Sequence, residues 1–288
     1  MSVKIAVMYI CTGKYERFWD EFYRTSEKFF YPAIDKHYFV FTESRRVMDQ
    51  KLPNVSYIYQ KKIGWPYDTL LRFHWFAMVQ DQITQYDFCY YCNANSVFVG
   101  EVTPELIPLP TAEQPLLLWC HTAHYDDYSS NDITTEQNPE STAYIGPDVT
   151  CRQHGGGFFG GTGEAFLKMT LELRDNIQAD LDKGIIAVWH DQSHIIKYGA
   201  EHVHMEVARD LICQEERSPV DGKCLMIFLA KDKNGGIDNL RENGWKPRAR
   251  HAVIKIYHRV LKTADAVGLG RGLRKISAKF SGRQDWYR

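Results

Sequence analysis

A chain of 288 residues with 44% hydrophobic and 14% aromatic content and a formal net charge of −1 reads as an ordinary soluble globular protein with ample core for one large domain or two small ones, too large to need disulfide staples. Its longest apolar runs are strand-length, so no membrane span is expected, and Val3 to Ile10 has neither a basic region before it nor a small-residue cleavage site after it, which argues against secretion. The near-zero charge hides an asymmetry: from Arg241 onward 13 Lys and Arg face three acidic residues, Glu242, Asp265 and Asp285, so this tail is a separate electrostatic object.

Lys4 to Ile10 reads as a buried first strand ending in a turn at Cys11 to Lys14. Tyr15, Phe18, Trp19, Phe22, Ser26, Phe29 and Phe30 then keep the rhythm of an amphipathic helix, stopped by Pro32. Tyr38 to Thr42 and Val55 to Tyr59 read as the next strands, an order that suggests a mainly parallel sheet covered by helices. Trp65 to Gln80 reads as one buried helix in which Arg72 must find a partner or a ligand. Tyr86 to Cys92 is a strand that breaks off in Asn93-Ala94-Asn95, and ligands in such sheets bind beyond the carboxyl ends of strands.

Leu116 to Cys120 is a further strand, and the polar segment Tyr125 to Asp148 is long enough to be a substrate-binding loop. Gly155-Gly156-Gly157-Phe158-Phe159-Gly160-Gly161 contains a literal G-x-G-x-x-G, but no apolar strand precedes it, so the dinucleotide fingerprint lacks its context. These glycines are expected to let something bulky approach the backbone. Glu164 to Asp182 is an amphipathic helix with Gly184 as its C-terminal cap. The seven cysteines (Cys11, Cys89, Cys92, Cys120, Cys151, Cys213 and Cys224) are odd in number and lie in apolar segments, so a reducing, cytoplasmic setting is expected. Cys89 and Cys92, three apart on a strand, should point to opposite faces and act as core thiols.

The densest chemistry lies in Ile185 to Tyr198, where Trp189, His190, Asp191, Gln192 and His194 fall within two turns of an expected helix. Satisfied core groups would explain either histidine alone; the cluster together points to a site. His190 and His194 have the i, i+4 spacing of a zinc helix, but Asp191 stands where the metalloprotease pattern needs Glu and no third ligand sits at the usual offset.

Three blocks thus stand in order: Tyr86 to Ser96, Ser141 to Gly146 leading into Gly155 to Gly161, and Ala187 to His194 with Lys197 and Tyr198. Their Ala-Tyr-Ile, Gly-Phe-Phe-Gly-Gly and Val-Trp-His-Asp-x-Ser-His-x-x-Lys-Tyr signatures closely resemble glycosyltransferase family 6, the family of histo-blood-group A and B transferases and α-1,3-galactosyltransferase, from about Ile10 to Asn234. The resemblance implies an α/β fold of the GT-A type with a single nucleotide-sugar-binding domain; together with the charge asymmetry this divides the chain into that domain over residues 1–240 and a basic amphipathic tail over 241–288 that lies outside the resemblance. It implies retaining transfer of galactose or N-acetylgalactosamine from UDP to a galactose 3-OH on an oligosaccharide acceptor. By position, Ile10, Cys11, Thr12 and Tyr15 would line the uridine pocket, Arg72 would approach the donor and Asp191 would hydrogen-bond the donor sugar. Trp189 would give the acceptor an apolar face, Gln114 lies near an acceptor-side polar position, and Lys231 matches a lysine that contacts the diphosphate.

Two departures from the family pattern matter. Vertebrate members carry Asp-x-Asp where this chain has Asn93-Ala94-Asn95, and neutral amides are poor ligands for a hard dication. Metal-independent transfer without any cofactor is therefore expected, with Lys231 or Lys233 supplying positive charge. Gln192 occupies the family's glutamate position in Trp-His-Asp-Glu-Ser-His; it can bind an acceptor hydroxyl but cannot supply a carboxylate, so it reads as an impaired catalytic position. Aligned with the family through Phe158-Phe159-Gly160-Gly161, Gly155 and Gly157 would fall on the two positions that distinguish its donors, and small residues there would leave room for an acetamido group, which favours UDP-N-acetylgalactosamine.

A fucosylated galactose acceptor is expected. Two readings of other classes remain: a zinc hydrolase built on His190 and His194, and a non-catalytic carbohydrate-binding protein. In the tail, Val253, Ile256, Tyr257, Val260 and Leu261 share one side of a basic amphipathic segment, which suggests peripheral attachment to an anionic membrane; no nucleic-acid groove is expected.

Overall fold

The sheet is built outward from β1 (Lys4–Ile10), whose last six residues are all buried because both faces are covered. In this computed structural model residues 2–120, 135–208, 210–215 and 223–241 are described. On one side β1 pairs in parallel with β2 (Asp35–Thr42), and β2 with β3 (Val55–Tyr59). On the other side β1 pairs in parallel with β4 (Phe88–Cys92). A small second sheet contains β5 (Ser96–Phe98), described with its partners below. Continuing the main sheet, β6 (Leu116–Cys120) and β4 both pair antiparallel with β7 (His154–Thr162), and the two-residue β8 (Met205–Glu206) closes the edge parallel to β6. The order is β3-β2-β1-β4-β7-β6-β8. The second sheet sets β10 (Met226–Phe228) between β5 and β9 (Ile212–Gln214).

Each face of the main sheet carries its own apolar layer. A 3-10 turn (Gly13–Phe18) leads into α1 (Trp19–Phe29), whose Trp19 and Phe22 pack on Tyr9, Tyr38 and Phe98. Phe22 stacks on Tyr9 with centroids 4.2 Å apart and is fully buried, so Phe22→Ala at this spot would remove about 3–5 kcal/mol of stability. After the short α2 (Arg45–Met48), the opposite face is covered by α3 (Tyr67–Leu70), α4 (Arg72–Ala77), α5 (Gln80–Ile83) and α6 (Gly163–Asp182), with Phe73, Phe76, Phe159 and Phe166 in mutual contact. Cys89 and Cys92 do fall in opposite layers.

Several expected boundaries hold. α6 is capped by the Thr162 side chain, which accepts from the Ala165 N–H at 3.2 Å. It ends in Gly184 at φ 70°, with the Gly184 and Ile185 N–H groups donating back to Leu181 and Asp180. The single helix read over Trp65 to Gln80 is instead three short helices, with Leu71 (φ −90°, ψ 12°) and Val79 (φ −114°, ψ 20°) leaving helical geometry. Phe73, Trp75 and Phe76 are all buried, so packing on several sides, and not one helical stripe, sets the path of this segment.

The glycine run forms β7, in the interior of the sheet, and as expected bulky groups approach its backbone: the rings of Trp119, Phe228 and Tyr90 lie where Cβ atoms on Gly155, Gly157 and Gly160 would stand. The cluster helix starts later than expected. α7 (Asp191–Glu201) begins at Asp191, and His190 sits before it at φ 56°, ψ −128°. α8 (Ile237–Arg241) is the last described element. The part of the Tyr125 to Asp148 loop before residue 135, and the basic tail from residue 242, lie outside the described residues. Among the described residues no helix is long and apolar enough to cross a membrane.

Candidate active site

The strand order switches direction between β1 and β4, with β2 on one flank and β4 on the other, and the carboxyl ends of these two strands open the crevice where such sheets bind ligands. Ile10, Cys11 and Thr12 lie there, all buried. The Cys11 N–H donates to the Phe41 carbonyl at 3.0 Å and the Thr42 hydroxyl to the Cys11 carbonyl at 2.9 Å, so the end of β1 is pinned. Burial pushes the Cys11 thiol up to about 12, which makes it a packing group and not a nucleophile. Tyr15 stands in the following 3-10 turn, where Arg241 hydrogen-bonds its hydroxyl.

Opposite them, Arg72 and Asp191 form a buried pair. Arg72 Nε lies 3.0 Å from Asp191 Oδ2, and the two side chains are 5% and 1% exposed. The guanidinium also donates to the carbonyls of Gly156 and Thr69 and stacks over the Tyr91 ring at 4.5 Å. Its Nε–H is not aimed at Oδ2, so both carboxylate oxygens of Asp191 are buried without an aligned hydrogen bond. Burial raises Asp191 to about 6, against the pull of Arg72 and the N–H groups at the start of α7. A buried carboxylate with acceptor capacity left over is built to receive hydroxyl donors.

Gly156 completes this wall. A Cβ there would lie 3.1 Å from Asp191 Oδ2 and 3.6 Å from Arg72 Nη1. The strand can place it so because β7 takes five residue steps, from His154 to Phe159, where β6 takes two, from Cys120 to Leu118. The extra residues bulge out of the ladder. The same bulge revises the reading of Gly155 and Gly157 as open volume. A Cβ on Gly155 would meet the Trp119 ring at 2.3 Å, and one on Gly157 the Phe228 ring at 2.7 Å. Their missing side chains make space for two aromatic rings of the protein itself.

Asn93 and Asn95 form a closed set. Asn93 Nδ2 donates to Asn95 Oδ1 at 2.9 Å, Asn95 Nδ2 to the Leu229 carbonyl at 2.7 Å, and the Tyr91 hydroxyl to Asn93 Oδ1 at 3.2 Å. The Asn93 N–H donates to the Gly157 carbonyl at 2.8 Å, tying this turn to the bulge. Both amide oxygens already accept protein hydrogen bonds and neither is charged, so this pair does not fit a divalent ion of the hard, oxygen-seeking kind.

The charge that is present is positive. Lys231 has no carboxylate partner among the described residues; its Nζ lies 5.6 Å from the Tyr15 ring, and burial with repulsion from Arg241 and Arg72 lowers it to about 8. Lys231, Arg72 and Arg241 thus converge with only Asp191 opposing them, a local excess of positive charge that describes an anion site. Lys233, by contrast, is 63% exposed and bound to Glu215 at 3.1 Å, which takes it out of the role of free counter-charge.

Arg241 was assigned to the tail by sequence, yet it ends α8 and lies over Trp65 at 4.7 Å, and Trp65 in turn meets His190 edge-on at 4.9 Å. Neither Trp65 nor Arg241 carries a motif that would have marked it.

Trp189, 37% exposed, and the part-buried Gln192 stand at the start of α7, with the Gln192 N–H donating to the Trp189 carbonyl at 3.1 Å. Gln114 is not brought to the site. It precedes Leu116, which pairs with Gly161, so it lies at the opposite end of β7 from Gly156. The zinc reading of His190 and His194 also fails, because His190 is not on the helix and the i, i+4 geometry is lost. His194 instead approaches the Asp180 carboxylate at 3.8 Å, and burial lowers it to about 4.

Comparison with known proteins gives the family. The family model for glycosyltransferase family 6 matches residues 1–234. The O-antigen biosynthesis glycosyltransferase WbnI of Escherichia coli is 35% identical over 194 residues, 67% of this chain and 81% of that protein. The globoside alpha-1,3-N-acetylgalactosaminyltransferase 1 of Canis lupus familiaris is 22% identical over 81% of this chain and 67% of its own length. The histo-blood group ABO system transferase 1 of Rattus norvegicus is 39% identical over 83 residues, 28% of this chain and 24% of that protein. A family match across the whole described sheet, together with an anion-ready crevice at its switch point, makes this chain a glycosyltransferase that belongs to glycosyltransferase family 6.

Proposed function

We propose that the chain transfers N-acetylgalactosamine from UDP-N-acetylgalactosamine to the 3-OH of a galactose in an oligosaccharide, fucosylated in the favoured case, with retention of anomeric configuration and without a divalent metal. The observation that carries this reading is the buried Arg72–Asp191 pair against Gly156 with Lys231 facing it unpaired. In it, the end of β1 and Tyr15 hold uridine, Lys231 with Arg72 and Arg241 neutralises the diphosphate, and the two unfilled Asp191 oxygens accept donor-sugar hydroxyls. The amide character of Asn93 and Asn95 supports the metal-independent part.

Donor choice draws on the relatives and no longer on open volume at Gly155 and Gly157, since Trp119 and Phe228 fill it. The name of the dog relative specifies α-1,3 transfer of N-acetylgalactosamine. Transfer of galactose is the alternative. At the chemical centre, retention needs the anomeric carbon shielded opposite the leaving UDP by a carboxylate, which Gln192 cannot supply. Binding of donor and acceptor then survives while turnover is low.

The test is a turnover assay with a panel of galactose-terminated glycans, each donor supplied separately, in excess EDTA and again with manganese. Transfer from UDP-N-acetylgalactosamine that persists in EDTA is expected. Equal or better use of UDP-galactose would sink the donor choice, and activity appearing only with manganese would sink the metal-independent reading.

A further inference from the structure

Away from the nucleotide-facing crevice, His154 at the start of β7 meets His204 and Glu206 at the edge of the sheet. Glu206 Oε1 lies 3.2 Å from His154 Nε2 and 3.9 Å from His204 Nε2, and one ligand atom from each residue falls within 4.8 Å of the other two. Ligands on a tetrahedral ion at about 2.0–2.1 Å stand roughly 3.3–3.5 Å apart, so the cluster needs only small side-chain adjustments to close on one.

The orientation of His204 is fixed from outside the cluster. Its Nδ1 lies 2.8 Å from the His202 carbonyl, which can only accept, so Nδ1 carries the proton. In the neutral ring Nε2 then turns a lone pair toward the Glu206 carboxylate, an arrangement that repels unless a proton or a cation stands between them. His154 is 2% exposed, and its Nδ1 is buried without a hydrogen-bond partner. Room for its ring comes from Gly199 of α7, where a Cβ would stand 2.5 Å from His154 Nδ1. Glu206 Oε1 is thus the carboxylate oxygen that both imidazole Nε2 atoms face. Arg152 Nε, 3.3 Å from the same Oε1, competes for this carboxylate, but its side chain is 56% exposed and can turn into solvent.

We propose that His154, His204 and Glu206 are the protein ligands of a zinc-type divalent ion, with water in the fourth position. The site shares no ligand with the crevice, and its nitrogen-rich set suits a borderline metal that the neutral amides of Asn93 and Asn95 would not hold. Its effect would be structural. The ion would clamp the two-residue edge strand β8 to the start of β7, one residue before the bulge whose Gly156 carbonyl holds Arg72.

To test this, the chelator-stripped full-length protein is titrated with zinc, followed by calorimetry and thermal unfolding, and then loaded with cobalt(II) for visible spectroscopy. One equivalent of zinc should bind and, at a hundredfold excess over Kd, raise the midpoint by about 5 °C. His204→Ala and Glu206→Gln should each unfold cooperatively but lose this shift, and cobalt should give d–d bands without thiolate charge transfer. No stabilisation by zinc, stabilisation that persists in both variants, or a thiolate band would overturn the proposal.

Discussion

Asp191→Asn keeps the shape of a buried side chain and removes its charge, and its effect should change with pH in a direction opposite to that of a surface carboxylate. Asp191 is 1% exposed and burial lifts it to about 6 although Arg72 is 3.0 Å away. An aspartate in the unfolded chain titrates at about 3.9. The folded chain therefore holds this proton more tightly than the unfolded one. Its contribution to stability is greatest below pH ~4 and falls as pH rises through ~6. The full span is about 3 kcal/mol, of which about 2 kcal/mol falls between pH 4.5 and 8. The pH-independent cost of the substitution is separate. Arg72 would keep the Gly156 and Thr69 carbonyls and the Tyr91 ring, so that cost should stay below the ~3–5 kcal/mol of a wholly uncompensated buried charge. Urea unfolding of both proteins at steps from pH 4.5 to 8 gives the difference directly. The advantage of the unsubstituted protein should shrink by about 2 kcal/mol across this range; an advantage that stays flat or grows with pH would show that Arg72 outweighs burial and would refute the argument.

Gln192→Glu should raise kcat for N-acetylgalactosamine transfer at least tenfold with little change in UDP affinity, because a restored carboxylate acts mainly in the transition state; an unchanged kcat would mean that this position does not carry the chemistry. Lys231→Met should weaken UDP binding about 10–100-fold by calorimetry, the worth of a charge-assisted hydrogen bond. With Lys231 held at about 8, UDP affinity of the unsubstituted protein should fall as pH rises past that value, a trend the Met variant should lack. Gly155→Ala should destabilise by about 1–3 kcal/mol in urea unfolding, since the new Cβ would fall 2.3 Å from the Trp119 ring and overpack a buried contact.

Much of this site is local and was therefore legible. The first strand, the helix after Thr162 with its Gly184 cap and the opposite-facing Cys89 and Cys92 follow from apolar periodicity and capping chemistry, which act over a few residues. Asn93 and Asn95 were placed by the abrupt end of a strand, and the need of Arg72 for a partner by the cost of burying its charge. What escaped is long-range. That partner, Asp191, lies 119 positions later. Trp65 and Arg241 meet across the fold, and the bulge that turns Gly155 and Gly157 toward Trp119 and Phe228 is a property of ladder register between β6 and β7. Gln114 failed for the same reason: nearness along the chain to a site strand does not say which end of the strand it joins.

The local rules this chain breaks are concentrated at one place, and that concentration is itself an argument about function. His190 holds a conformation that glycine would adopt with ease (φ 56°, ψ −128°), at a cost on the order of 1–3 kcal/mol. Immediately after it, Asp191 is ionised only against its burial, and Lys231 is a largely buried ammonium with no acid to pair with among the described residues. The His190 turn is what ends the preceding loop and starts α7 at Asp191, so its strain aims the carboxylate at Arg72 and Gly156 while its ring braces Trp65 beneath Arg241. A scaffold selected for stability alone would be expected to avoid such a concentration of strained and poorly paired groups. They persist together because their costs fall on one crevice, in which a dianionic leaving group and a ring of hydroxyls would satisfy the cations and the carboxylate at once.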